Sequence, residues 1–265
     1  MSAEPRVSVL IGCWNNADTL ERAARSILDG TLHDLELLIV DDGSTDDTEE
    51  LVGSLEDERV RYLKLPHMGI SRSLNAGLAE ARAPLVAIQD ADDWSEPERL
   101  ERQVELLDSR LDVAVVGTRM HEVDDAGNAL QPRTAFTAGD VRAVLMRFNP
   151  IPNSSACFRR QVALAVGGYD PDYLYAMDYD LWLKLAERHA IVTLDEPLAT
   201  RRMSSGNVAA RKERAQIAET ISMRLRALRR RRTLRGAGGL VLPLISYLTP
   251  LPLKRARRRR LGQAP

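Results

Sequence analysis

Four apolar runs, each broken off by a polar or acidic loop and then by a helical pattern, constrain this chain more than any other feature. Val7-Ser8-Val9-Leu10-Ile11 leads into Gly12-Cys13-Trp14-Asn15-Asn16, and residues 35–40 run into Asp41-Asp42-Gly43-Ser44. Residues 60–65 form a third run, and residues 85–89 a fourth that stops at Asp90-Ala91-Asp92-Asp93-Trp94. Acidic residues are poor strand formers, so this strand ends near Gln89. Between the runs lie helical patterns: one capped by Asp18 or Thr19 with Leu20, Ala24, Ile27 and Leu28 on its apolar face, one over 46–55, and one capped by Ser71 and reaching Ala81. Pro97 suits the first turn of a further helix to about Asp108, and residues 113–117 read as a fifth strand. Strands and helices alternating through short connections predict an α/β fold with a largely parallel, Rossmann-like sheet.

Gly12 is the only glycine in the first loop, so the G-x-G-x-x-G signature of a dinucleotide site is absent. Beyond Gly117 the rhythm changes. Residues 119–123 and 129–133 flank Asp124-Asp125-Ala126-Gly127-Asn128 as a hairpin; 139–147 read as a short helix, 155–158 as a strand and 160–166 as a helix. Residues 178–188 form a helix with Leu181, Leu185 and Trp182 on its apolar side, followed by short strands at 191–194 and 198–201.

The 265 residues are 44% hydrophobic, enough for a buried core. Cys13 and Cys157 have neither metal-ligand nor disulfide-framework spacing, which suits a reducing compartment. The first residues lack the pattern of a signal peptide, and no apolar run reaches the roughly 18 to 20 residues of a membrane span. The expectation is a cytoplasmic protein. Its net charge of −1 conceals an asymmetry: 16 basic and 2 acidic residues from Ala209 onward, against 21 and 36 before it. Residues 212–232 have helical composition, 240–253 are apolar but broken by Pro243, Pro250 and Pro252, and Lys254-Arg255-Ala256-Arg257-Arg258-Arg259-Arg260 follows. Two readings of this tail stand side by side: an anchor on the anionic inner membrane face, and a solvated tail. No nucleic-acid motif accompanies the charge, so no nucleic-acid partner is expected.

The chemistry concentrates on the strand ends. In a parallel sheet the loops after the first, second and fourth strands share one edge, where α/β proteins bind ligands. Taken alone, Asp90, Asp92 and Asp93 fit two readings equally: a hard-cation site for a bound phosphate, and a turn capping the next helix. Trp14 can stack on a nucleobase or simply pack, and Asp42 can accept a base N–H or cap a helix.

Together these segments resemble the family-2 glycosyltransferases of the GT-A fold. The resemblance rests on the first strand with Trp14-Asn15, on Val40-Asp41-Asp42-Gly43-Ser44-Thr45-Asp46, on Ser73-Leu74-Asn75-Ala76-Gly77 and on Asp90-Ala91-Asp92-Asp93. Downstream it continues in Gly167-Gly168-Tyr169-Asp170 and Asp178-Tyr179-Asp180-Leu181-Trp182-Leu183, so it covers about residues 6–208. Its flavour is that of bacterial polysaccharide and cell-surface glycan enzymes. The resemblance implies a glycosyltransferase domain over 1–208, with a nucleotide-sugar half to about 117 and an acceptor half beyond, followed by the basic region 209–265. It implies inverting transfer of a sugar from a nucleotide-diphosphate sugar, UDP or dTDP first, to a glycan or lipid-linked acceptor hydroxyl, with Mn²⁺ or Mg²⁺. Trp14, Asp42, Asp92 and Asn75 would bind the nucleotide, Asp93 and Asp90 the metal, and Asp178 would be the catalytic base. Arg72, Trp94 and Arg99 are candidate substrate contacts, and Gly77 a close-packing position.

The sequence departs from the family in three places. Trp14 stands where tyrosine is usual, and Met177 stands where glutamate commonly precedes the base. The segment Arg202-Met203-Ser204-Ser205-Gly206-Asn207 lacks the histidine that can add a metal ligand. His67, His121 and His189 read as surface or packing residues. The rivals are a sugar-nucleotide pyrophosphorylase, whose glycine-rich basic loop is missing after the first strand, and a non-catalytic nucleotide-sugar-binding protein of the same fold.

Overall fold

A computed structural model of the chain describes residues 4–131, 136–203, 213–231 and 237–248. The elements in chain order begin with β1 (Val7–Cys13), α1 (Ala17–Leu28), β2 (Leu35–Asp41), α2 (Thr48–Gly53), β3 (Val60–Lys64), α3 (Ile70–Glu80) and β4 (Leu85–Asp90). Next come β5 (Trp94–Ser95), α4 (Arg99–Ser109), β6 (Val113–Val123), β7 (Gly139–Asp140), β8 (Cys157–Arg159) and α5 (Arg160–Ala165). The last are α6 (Met177–Leu185), β9 (Ala190–Arg202), α7 (Glu213–Arg231) and α8 (Val241–Leu248).

One sheet runs through the molecule in the order β3-β2-β1-β4-β8-β6-β9-β5, with β7 paired to β9. The expected parallel arrangement holds from β3 to β4. Beyond β4 the sheet is mixed: β8 lies antiparallel to both β4 and β6, while β6 and β9 are parallel. β1, β2 and β4 are mostly apolar because helices cover both faces of the sheet there. Successive residues alternate between two cores. Leu10, Leu38, Val40 and Ile88 meet Leu74 and Leu78 of α3, Trp182 of α6 and Met223 and Ala227 of α7. Val9, Ile11, Leu37 and Ile39 meet Leu20 and Ile27 of α1 and Leu100 and Val104 of α4. Gly77 is where α3 lies flat on the sheet: a Cβ there would come within 2.8 Å of Val40 and 3.2 Å of Leu10. The close-packing expectation for this glycine is met.

Several local expectations are corrected. Residues 139–147 do not form a helix: Gly139–Asp140 pairs with β9, and the Asp140 carboxylate then accepts the Arg142 N–H, closing a turn instead of a helical start. The strands expected at 191–194 and 198–201 are one strand, with irregular register near Pro197 absorbing the break. Gly69, not Ser71, stands at the head of α3, and the Ser71 hydroxyl donates to the Tyr173 carbonyl. Pro97 precedes α4 and does not lie in its first turn. Of the hairpin after β6, the described residues show a bridge between Val123 and Ala129, and residues 132 and 133 of its second arm lie outside them. The basic stretch after 209 is not all tail, because α7 buries Met223, Ala227 and Leu228 in the core. Pro243 sits in the first turn of α8, where a missing N–H is harmless. Residues 254–260 lie outside the described residues. Among the described residues no helix is long and apolar enough to cross a membrane.

Candidate active site

The parallel register puts Cys13 beside Asp41 and Gly12 beside Asp90, so the loops after β1, β2 and β4 do share one edge. Asn15 turns the first loop with a φ of 55°, and its side-chain oxygen accepts the Thr45 N–H at 2.8 Å while Ser44 Oγ accepts its own N–H at 2.9 Å. These bonds present Trp14 outward, half exposed.

Asp41 is buried under the edge, where it accepts the Ser44 N–H and hydroxyl and the Tyr62 hydroxyl. Asp42, 3% exposed, is the most heavily bonded carboxylate of the edge. The N–H groups of Met68 and Gly69 donate to it at 2.7 and 2.9 Å, and Ser73 Oγ donates at 2.6 Å. His67 Nδ1 lies 3.0 Å from Asp42 Oδ2 and 3.0 Å from the Asp42 carbonyl, and the imidazole stacks on Trp14 with centroids 4.6 Å apart. His67 is a half-exposed residue packed on Trp14, as a surface or packing role implies, but a lone histidine in a proline-glycine loop carries no periodic signal, so its place at this edge shows only in the fold.

The acidic loop is built differently. It borders a cavity of about 620 Å³ that is also lined by Asp178, Asn149 and Arg201. Asp93 Oδ1 accepts the Arg202 N–H at 3.0 Å, but Asp93 Oδ2 is buried with no hydrogen-bond partner. Burial, then the charges of Asp90 and Asp92, push the Asp93 carboxyl well above the usual carboxylate range. Burial with the charges of Asp92 and Asp178 pushes Asp90 up to about 7. Asp92 is raised by burial as well. Asp178 sits at the start of α6 but not at its cap, which is Ala176. Its carboxylate accepts the Asn149 amide at 2.9 Å and the Tyr179 N–H at 2.7 Å, and burial raises it to about 6. Asp180 faces away and pairs with Lys184 at 2.7 Å.

This donor set fits a hard cation: carboxylates lining one cavity, with one buried oxygen orphaned. Among the described residues no three His, Cys, Asp or Glu side chains converge to hold a metal ion, so the fit is to an open site with one or two protein oxygens. Residues 204–207, the rest of the segment that begins at Arg202 and holds no histidine, lie outside the described residues.

Other expected contacts are not brought to the cavity. Asn75 spends its amide on Tyr169, accepting its N–H at 2.9 Å and donating to its carbonyl at 2.7 Å, so it ties α3 to the 167–169 turn. Arg72 is exposed, and its guanidinium reaches back to the Met68 carbonyl at 3.4 Å. Trp94 lies under the Arg22 guanidinium, 3.2 Å from the ring centre. Arg99 is fully buried behind the acidic loop, donating to the Ile88 and Ser154 carbonyls, and burial lowers its pKa to about 10. In exchange the structure brings in residues that no sequence motif singles out. Gln216, Thr220 and Arg224 of α7 wall the cavity. Glu219 accepts the Leu174 and Tyr175 N–H groups at 2.9 Å each, and Arg224 donates to the Tyr179 hydroxyl at 3.0 Å.

The family model described as Glycosyl transferase family 2 matches residues 8–164. The amylovoran biosynthesis glycosyltransferase AmsE of Erwinia amylovora is 28% identical over 211 residues, covering 77% of this chain and 79% of its own. Among solved structures, residues 1–349 of S. aureus TarS in complex with UDP-GlcNAc superpose with a TM-score of 0.74 at 16% identity, over 90% of this chain and 71% of that one. The mannosyltransferase PcManGT of Pyrobaculum calidifontis, in complex with GDP-Man and Mn²⁺, gives a TM-score of 0.68 at 18% identity, over 98% of this chain and 81% of that one. At these identities the structures attest the fold.

Proposed function

The chain belongs to glycosyl transferase family 2, and from that premise we propose that it is an inverting transferase that moves a sugar from a UDP- or dTDP-sugar to an acceptor hydroxyl of a glycan or lipid-linked intermediate. The observation that carries this reading is the convergence of Asp90, Asp92, Asp93 and Asp178 on one cavity, with one buried carboxylate oxygen unsatisfied. TarS, whose complex holds UDP-GlcNAc, and PcManGT, whose complex holds GDP-Man and Mn²⁺, support the donor class and the use of a divalent cation.

In this reading Trp14 stacks on the base and Asp42 accepts its ring N–H, while Asp92 receives the ribose hydroxyls. Asp93 and Asp90 would hold Mn²⁺ or Mg²⁺, and such a cation would neutralise charge on the departing nucleoside diphosphate. Asp178, raised to about 6, is poised to accept a proton near neutral pH. Asn149 holds one of its oxygens at 2.9 Å and so orients it. The acceptor oxygen bonds to the anomeric carbon as the bond to the diphosphate breaks, and the acceptor proton passes to Asp178. One displacement inverts the centre. Arg201, ion-paired to Glu122 at 2.7 Å, tempers the acidic cluster from the strand side.

The exposed apolar residues of α8, among them Leu242 and Ile245, together with the basic residues 254–260, support docking on an anionic membrane face, where a lipid-linked acceptor resides. Leu242→Glu/Ile245→Glu is expected to reduce co-sedimentation with phosphatidylglycerol vesicles. Undiminished binding rejects the docking.

The test of the transferase reading is turnover. With Mn²⁺ or Mg²⁺, labelled UDP- or dTDP-sugar should be consumed, to an acceptor or slowly to water, by the wild type. A protein that binds these donors without consuming them is the non-catalytic alternative.

A further inference from the structure

The 65–69 loop lies against the edge of the sheet. The Leu65 N–H donates to the Asp41 carbonyl at 2.9 Å, and the Met68 and Gly69 N–H groups hold the Asp42 carboxylate. Gly43, with a φ of 79°, makes room: a Cβ on it would lie 2.7 Å from the His67 nitrogen. The backbone is therefore pinned on both sides of His67. Its side chain, in contrast, is 55% exposed and bounded by Trp14 on one face.

The ring's two contacts are those a nucleobase would make. It lies stacked on Trp14, with an interplanar angle of 27°. Its Nδ1 faces two acceptors, the Asp42 carboxylate and the Asp42 carbonyl, so Nδ1 carries the proton and donates. Uracil and thymine present the same pair of features: a flat face and one ring N–H, at N3. We propose that His67 is a built-in surrogate for the base, occupying the place between Trp14 and Asp42 that the nucleobase takes. The base enters by displacing the imidazole through rotation of the side chain, with the loop backbone staying fixed. This rests on the reading that Trp14 and Asp42 hold the base.

Two consequences follow from the competition. Nucleotide affinity is reduced by the fraction of molecules in which His67 occupies the site. The site also selects rings that can replace the lost donor, which favours uracil and thymine over cytosine, whose N3 carries no hydrogen.

The experiment is calorimetric titration of UDP and CDP in Mg²⁺ into the wild type, His67→Ala, His67→Phe, Trp14→Ala and Asp42→Asn. His67→Ala is expected to bind UDP roughly 3- to 10-fold more tightly than wild type. His67→Phe, which keeps a ring on Trp14 but offers Asp42 no N–H, is expected to fall between them, and CDP should bind weakly throughout. In proton NMR the His67 ring signals, identified by their loss in His67→Ala, should leave their Trp14-shifted positions as UDP is added. Unchanged or weaker UDP binding by His67→Ala, or His67 signals that stay in place while UDP binds, overturns the inference. If Trp14→Ala and Asp42→Asn bind UDP as wild type does, the base-site reading itself fails, and this inference with it. If those two variants weaken binding while His67→Ala brings no gain, only the surrogate is rejected.

Discussion

The two acidic loops of this sheet edge differ in one respect that matters more than their sequence. Asp41 and Asp42, at the end of β2, accept hydrogen bonds from Ser44, Tyr62, Met68, Gly69 and Ser73, so the protein itself answers their charge. Asp90, Asp93 and Asp178 line one cavity, and Asp93 Oδ2 has no partner. All three carboxyls are raised, with burial the main cause in each. The first loop is a finished receptor surface that can be pre-shaped at little cost. The second stores an electrostatic deficit that something from outside must relieve, whether a proton or a cation. Buried carboxylates with raised pKa values are where a fold keeps groups ready for proton or cation chemistry.

The sharpest way to break this comparison is at Asp178. Asp178→Asn keeps the shape and the Asn149 contact but removes the base, so transfer should slow about 10²- to 10⁴-fold in single-turnover assays. UDP affinity should change little. Wild-type transfer should fall as pH drops through about 6, where Asp178 takes up a proton, and this acidic limb should be lost in the variant. An unchanged rate removes Asp178 as the base.

Next in size is Asp93→Asn. Transfer and its dependence on Mn²⁺ should drop together, while thermal stability without divalent cation should rise because a poorly solvated charge is gone. The same logic sets a pH trend. Asp90 and Asp178 have folded pKa values raised from 3.8 to about 7 and about 6. The folded state thus binds protons more tightly than the unfolded one. The stability this contributes is complete below about pH 4 and is lost as pH rises towards 7, by roughly 1.4 kcal/mol for each pH unit separating a group's folded and unfolded pKa. Melting curves across that window, without divalent cation, should show the decline. Asp90→Asn should flatten it, and a flat wild-type profile would contradict the deficit.

The smallest effect is expected on the satisfied side. Asp42→Ala strands the Met68 and Gly69 N–H groups and the Ser73 hydroxyl, costing about 1–3 kcal/mol of stability by denaturant titration. Its stability should fall where that of Asp93→Asn rises. If both fall, the two loops are not different in kind.

Much of this is legible in the chain itself. An apolar run that ends abruptly in carboxylates marks both a strand terminus and a candidate ligand edge, which is why Asp42, Asp90, Asp92 and Asp93 can be placed without the fold. Asp178 needs more, because its helix start is ordinary and only the cavity shows that it faces the acidic loop. Asn75 stands in a recognisable motif, yet its amide is used by Tyr169 across 94 residues of sequence, a pairing no local pattern reveals. His67 is hidden for the opposite reason: its partners are close in space but its loop has no period to read. The role of α7 is masked by composition. Its arginines suggest a solvated tail, while the stripe of Met223, Ala227 and Leu228 that docks it is short.

That docking has a temporal side. The carboxylates of the cavity come from residues 90–178, but one wall comes from Gln216, Thr220 and Arg224, and Glu219 steadies the segment just before Asp178. During synthesis the sheet can therefore assemble around an open trough, which gains its further wall only once α7 has been made and has settled. A nascent chain would own every acidic group of the site before it owned a place to confine an acceptor.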